Sequence, residues 1–170
     1  MGMTDAFVQE IDQEAATTRR VLERVPADRL SWKPHPKSMS LGELAMHVAQ
    51  VPETISSWAV EDTFNFGTLS GHQAGPTSTE QVLKAHDEGL TKAKDIMKTL
   101  GDAGLQRTWQ GTMNETPMFS MPKVALIRSI LLNHWYHHRG QLSVYLRLLD
   151  VPVPPIYGPS ADENPFTART

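Results

Sequence analysis

The sequence predicts an all-α four-helix bundle, and three observations carry that expectation. Four stretches place apolar residues at the 3–4 spacing of a buried helix face; two of them open on a helix-capping signature; and strand-like alternation is almost absent between them. Helices of this kind bury their stripes against one another, and four of them satisfy a bundle.

Thr4-Asp5 offers an N-cap for the first helix, whose stripe of Phe7, Ile11, Ala15, Thr18, Leu22 and Val25 stops at Pro26. From Leu30 to Ser40, Pro34 and Pro36 rule out a continuous helix and predict an ordered loop pinned by Trp32, with His35 exposed between the prolines. Ser40-Leu-Gly-Glu43 is a capping box and starts the second helix, with Leu41, Leu44, Ala45 and Val48 inward and His47 at the edge of the stripe. Pro52 ends or kinks it, and Thr54 to Val60 continues as a short segment.

From Asp62 to Thr77 glycines, Asn65 and Pro76 mark a loop, with His72 on its surface. The third helix follows at Ser78, with Gln81 three residues on, and its stripe runs from Val82 through His86, Leu90, Ala93 and Met97 to Gly101. His86 is either a core histidine with a hydrogen bond or a further ligand. Between Leu105 and Phe119, threonines and aromatics around Gly111 and Asn114 predict a short two-stranded ribbon or irregular loop. The last helix begins near Pro122 and continues to Leu149, after which prolines impose an extended tail. The chain divides into a bundle over 1–149 and a Pro-rich C-terminal tail over 150–170, packed on or near it.

Composition narrows the function classes. A length of 170 residues points to one domain, and the lack of cysteine excludes disulfides and thiolate metal sites. A net charge of −3, with its 16 Lys and Arg dispersed, offers no basic stripe to a nucleic-acid backbone. No apolar run approaches the ~18 residues of a membrane span and no signal pattern is visible, so a cytoplasmic protein is expected.

The stretch from Ser129 to Gln141 concentrates the chemistry. His134 and His138 project from one helix face a turn apart, where two imidazoles can grip one ion, although such pairs also occur on solvated faces. They read as part of the stripe Ile127, Leu131, His134, His138, Leu142, Tyr145, Leu149. Histidines facing a core need partners, because an unpaired buried polar group costs on the order of 1–3 kcal/mol, and a shared metal would meet that need. His47, taken alone, is either an interfacial histidine or a ligand.

Trp32-Lys-Pro34, the run from Ser40 to His47, and Asn133-His134-Trp-Tyr-His-His138-Arg-Gly-Gln141 together resemble the DinB/YfiT-like family of metal-binding bundles. The similarity extends from the first helix into the tail stretch from Tyr157 to Glu163. It implies an up-down-down-up, left-handed bundle, frequent homodimers, and a divalent metal held by His47, His134 and His138. His137, about 100° from His138, should not share the ion. Imidazoles suit Zn²⁺, Ni²⁺ or Fe²⁺ over Ca²⁺ and Mg²⁺, and three protein ligands leave a position for water or substrate.

Glu43, one turn before His47, is a candidate acceptor for a ligand's second ring nitrogen; Arg139 and Gln141 could orient a substrate or serve helix packing. Gly140 implies close approach of another helix, within the chain or from a partner. Relatives include thiol-dependent S-transferases, which implies a low-molecular-weight thiol activated at the three-His site. A metal-binding module without turnover, a simple metal-dependent hydrolase and a dry core of hydrogen-bonded histidines are the competing readings. Position 135 is Trp where a zincin helix carries its general-base Glu, which weakens the protease form of hydrolysis.

Overall fold

The first three helices are each started by side chains that answer their first free amides. In the computed structural model, which describes residues 2–69 and 75–166, α1 spans Met3–Leu22. Its N-cap is Gly2 rather than Thr4-Asp5, because Asp5 reaches back to the Gly2 amide at 3.1 Å and Asp102 accepts from Met3 and Thr4 at 3.1 and 2.8 Å. A carboxylate at a helix N-terminus also faces the positive end of the helix dipole.

The second helix, α2, spans Leu41–Trp58 and opens on the capping box: Glu43 N donates to Ser40 Oγ at 3.2 Å and Ser40 N to Glu43 Oε2 at 2.6 Å. Pro52 does not end it. An interior proline costs ~3 kcal/mol, and burial of Val51 and Ile55 beside it, at about 1.5–3 kcal/mol each, offsets that cost. The loop before α2 is tied down as expected, with the Trp32 ring edge-on to Tyr145 at 5.7 Å.

α3 spans Thr79–Leu105, with Ser78 capping Gln81 N at 3.2 Å and a kink at Gly101, whose φ of +59° suits glycine. The last helix, α4, runs over 123–148 as three contiguous pieces: Lys123–Ala125, a π-helical stretch Leu126–Leu132, and Asn133–Leu148.

Cross-helix contacts set the directions. Asp12 meets Lys94 and Arg19 meets Asp87, so α1 and α3 are antiparallel. Gly42 lies against Pro76 and Gly89 against Glu53, so α2 and α3 are parallel. Glu10 meets Arg128 while Glu14 meets Arg139, so α1 and α4 are parallel too. One core of Ile11, Leu44, Val48, Leu90, Met97, Leu131 and Trp135 joins all four.

The pure all-α expectation needs correction, because a three-stranded sheet sits at one end of the bundle. The expected ribbon is present as β2 (Thr108–Met113) and β3 (Thr116–Pro122), antiparallel, with Asn114 at φ +53° in the connection. A further strand, β1 (Thr63–Asn65), pairs parallel to β2 in what reads as loop. Its signal is weak because three residues carry no period, and its partner lies more than forty positions away. Gly111 is no turn residue either: it sits in β2, where a Cβ would stand 2.8 Å from Phe66 and 3.0 Å from Phe119. Lys123, fully buried, holds the sheet's entry by pairing with Asp62 at 2.9 Å.

The described part of the tail lies against the bundle. Arg147 pairs with Asp162, Arg24 with Glu163 at 2.5 Å, and Tyr157 Oη accepts from Arg139 at 2.6 Å. His72 falls outside the described residues.

Candidate metal centre

Three imidazoles from two helices meet where α2 crosses α4. His47 comes from α2, His134 and His138 from α4, and one ring nitrogen of each lies within 4.8 Å of the others. The His47 and His134 Nε2 atoms are 3.0 Å apart although 87 residues separate them in sequence. Two nitrogens bound to one ion at about 2.0–2.1 Å stand roughly 2.8–3.4 Å apart for bond angles between square and tetrahedral. The spacing of this pair therefore fits ligation with a shift of a few tenths of an ångström at most. His138 completes the set, its ring centroid 4.4 Å from that of His47 and 4.3 Å from that of His134.

The histidines do not occupy the centre of the buried stripe, as the 3–4 spacing suggests. Trp135 and Arg139 take the core positions, and His134 and His138 are half-buried at the flank facing α2. The cause is the π-helical stretch just before Asn133: its i→i+5 turns are wider than α turns, so the inward stripe runs Ile127, Leu131, Trp135, Arg139 and then Leu142. Wide turns of this kind recur at functional sites.

Gln141, one turn on from His138, places Oε1 2.7 Å from His138 Nδ1. A carbonyl oxygen can only accept, so that bond puts the ring proton on Nδ1 and leaves Nε2 with its lone pair free. The remaining candidates lie elsewhere. Glu43 gives its carboxylate to the α2 cap and to Lys33, at 3.5 Å, and makes no bond to His47. Arg139 points away, into Glu14 Oε2 at 2.6 Å, Thr18 at 3.0 Å and Tyr157, so it is a clamp between α1, α4 and the tail. His86 is buried beside Trp135, with Nδ1 3.2 Å from Asp87 and Nε2 without a partner among the described residues, and the structure does not bring it to the group. His35 is exposed, as is His137. A Cβ on Gly140 would meet nothing within 4 Å, so no helix of this chain requires that glycine.

The electrostatics favour neutral rings. Burial holds the His47 imidazole down at about 4, with His138 and His134 adding to the effect. Burial also lowers His134 and His138, opposed in the latter by the Gln141 bond. Among the described residues, the ionisable neighbours acting on the three rings are other histidines and not carboxylates. Neutral imidazole is the form that binds metal, so protons compete less here than at an ordinary histidine.

The sign of the pH dependence follows. The unfolded histidines take up protons near pH 6.5, whereas the folded ones do so lower, so the native state binds fewer protons in between. Their contribution to stability is complete above about pH 6.5 and declines as pH falls from there towards 4. The melting temperature of metal-free protein should drop between pH 7 and 5, above most of the carboxylate range, and a flat profile would refute the burial of neutral rings. His86, also lowered by burial, acts in the same direction.

Beside the group, a cleft of about 310 Å³ is lined by His47, Gln50, Val51, Thr54, Ile55, Trp58, Leu69 and His134. Sequence reading misses it. The signal was the continuation of the His47 face along α2, at i+3, i+4, i+7, i+8 and i+11, through a proline that looked like an end.

The model of the DinB family matches residues 1–166. The chain belongs to the DinB family. This DinB protein is 26% identical over 159 residues to the uncharacterized protein YrdA of Bacillus subtilis (strain 168), covering 94% of this chain and 90% of that one. Its fold is shared with the crystal structure of a DinB-like protein from Bacillus cereus ATCC 10987, with a TM-score of 0.71, 23% identity and coverage of 90% of this chain and 97% of that one. The DinB-like protein YjoA from Bacillus subtilis gives a TM-score of 0.70 at 22% identity, over 89% of this chain and 97% of its own. Among the described residues no helix is long and apolar enough to cross a membrane.

Proposed function

We propose that this DinB protein holds one divalent transition metal, Zn²⁺, Ni²⁺ or Fe²⁺, on His47, His134 and His138, and uses it to activate a low-molecular-weight thiol for transfer to an acceptor. The observation that supports this reading is the convergence of three imidazoles, two of whose Nε2 atoms are 3.0 Å apart, beside a cleft. A bound ion would supply one thing, stabilisation of the thiolate, which is the nucleophilic form of sulfur.

The protein's own residues supply the rest. Burial keeps the rings neutral, Gln141 fixes the tautomer of His138, and the cleft leaves room beside His47 and His134 for a second molecule. Hydrolysis of the zincin type has no support, because Trp135 stands in the core and donates its Nε1–H to Val48 O at 3.0 Å.

Elemental analysis of protein purified without chelator or metal-affinity resin is expected to give about one transition metal per chain. Titrating a small thiol into the Co²⁺-substituted protein should then add sulfur-to-metal charge-transfer absorption. A bound metal indifferent to thiols would favour a binding module without turnover, and no metal would end the proposal. We also propose a two-fold homodimer, the commonest closed assembly, in which the open surface at Gly140 is available to a partner. Light scattering at tens of micromolar should return twice the chain mass; a monomer at every concentration would refute it.

A further inference from the structure

We infer that the cleft beside the three histidines is the subsite for the acceptor, and that it takes a largely apolar, non-cationic molecule carrying a flat group and one hydrogen-bonding polar group. The inference rests on the metal-centred reading above for the word acceptor, but the ligand class comes from the cleft itself.

Its walls are Val51, Ile55, Trp58 and Leu69, and among the described residues no side chain lining it carries a fixed charge. A cation brought into such a space would lose its water without finding a counter-charge and would be repelled by a divalent ion on the histidines, whereas an apolar body gains by leaving water. At about 310 Å³ the space suits a small organic molecule and is too small for a folded partner.

Polar recognition is also present. Gln50 and Thr54 line the cleft one turn apart on α2, and neither side chain has a hydrogen-bond partner among the described residues. Together they offer an amide and a hydroxyl, able to donate and accept, to a single carbonyl, amide or hydroxyl group of a ligand. Sites of this composition, apolar with a few placed polar groups, are the usual form of small-molecule pockets.

Trp58 gives the flat surface and is held before any ligand arrives. Its ring stacks on Phe64 at 4.9 Å and 24° and meets Phe66 edge-on at 5.3 Å. Its carbonyl accepts from Trp109 Nε1 at 2.8 Å, so both the backbone and the ring are fixed by the sheet end of the molecule. A rigid indole loses little freedom on stacking with a second ring. This gives the small sheet a role: it carries the aromatic platform that closes one wall of the cleft.

The test uses 2-naphthamide as a neutral flat probe and 2-naphthylmethylammonium as its cationic counterpart, titrated by calorimetry into the full-length protein with and without Co²⁺. Saturable binding of the amide is expected, with the ammonium roughly ten-fold or more weaker. Thr54→Val and Gln50→Leu, both remote from the core, should each weaken the amide roughly three- to ten-fold. Trp58→Phe should retain most of the affinity, and Trp58→Ala, checked for folding by circular dichroism, should lose it. With Co²⁺ bound, the amide should shift the visible spectrum, since His47 and His134 line the same space. Equal binding of both probes, amide affinity unchanged in Thr54→Val and Gln50→Leu, or no saturation up to millimolar amide would overturn the inference. The cobalt titration run on the same samples separates the two ideas: amide binding without cobalt uptake sinks the metal reading and leaves the ligand class standing, and cobalt uptake without amide binding does the reverse.

Discussion

Replacing His138 with alanine is expected to abolish most of the metal-dependent rise in melting temperature, while replacing His137, its neighbour, leaves that rise intact. The contrast rests on direction. His138 lies in the group with His47 and His134, whereas His137 is exposed, its ring centroid 4.9 Å from that of His138. Ligand binding stabilises a fold by RT ln(1 + [M]/Kd), about 4 kcal/mol at a thousand-fold excess over Kd, which for a chain of this size is roughly 8–16 °C. Two remaining imidazoles should bind so weakly that little of it survives. Gln141→Leu should fall between, with metal affinity down roughly 10–100-fold, because it frees the His138 tautomer without removing a ligand. Calorimetric metal titrations alongside melting curves would check all three, and full metal uptake by His138→Ala would show that the coordinating face is misassigned.

Glu14→Ala should be the most damaging single substitution away from that centre, lowering stability by about 3–5 kcal/mol. Arg139 is 1% exposed, and Glu14 is its anionic partner. Removing the carboxylate leaves a cation in the core with only Thr18, a main-chain oxygen and Tyr157 around it, under the rings of Tyr136 and Tyr157. The reverse change, Arg139→Met, should cost less, since Glu14 retains 15% exposure and can turn towards water while methionine refills the space left by the arginine stem. Urea denaturation of the two variants measures the asymmetry, and a loss below about 1 kcal/mol in Glu14→Ala would mean that water reaches the pair.

How much of this could be read beforehand depended on the distance over which each interaction acts. The capping signatures at Ser40 with Glu43 and Ser78 with Gln81 are complete within four residues, and they mark where α2 and α3 begin. The His134 and His138 pair is equally local. Other features needed partners from remote parts of the chain. Nothing near Arg139 announces that its counter-ion stands in α1, 125 positions earlier, so its role as an inner clamp was out of reach. Gly111 looked like a turn because the rings that demand its lack of a side chain, Phe66 and Phe119, come from other strands and turns. Thr63–Asn65 is too short to register as a strand, and only pairing with β2 makes it one. The inward stripe of α4 was displaced by one residue because uniform α geometry was assumed across a segment that does not have it.

That segment also determines where α4 can tolerate a change in length. A π stretch holds one residue more than a regular helix needs for the same advance, which makes 126–132 a store of slack. A residue deleted there is expected to be absorbed, the ladder closing to i→i+4 with the histidines beyond it still directed at α2, so that metal uptake survives the deletion. The same deletion between His134 and His138 has no slack to draw on and swings one ring about 100° out of reach of the other two. The helix is thus elastic on the near side of its histidines and rigid through them.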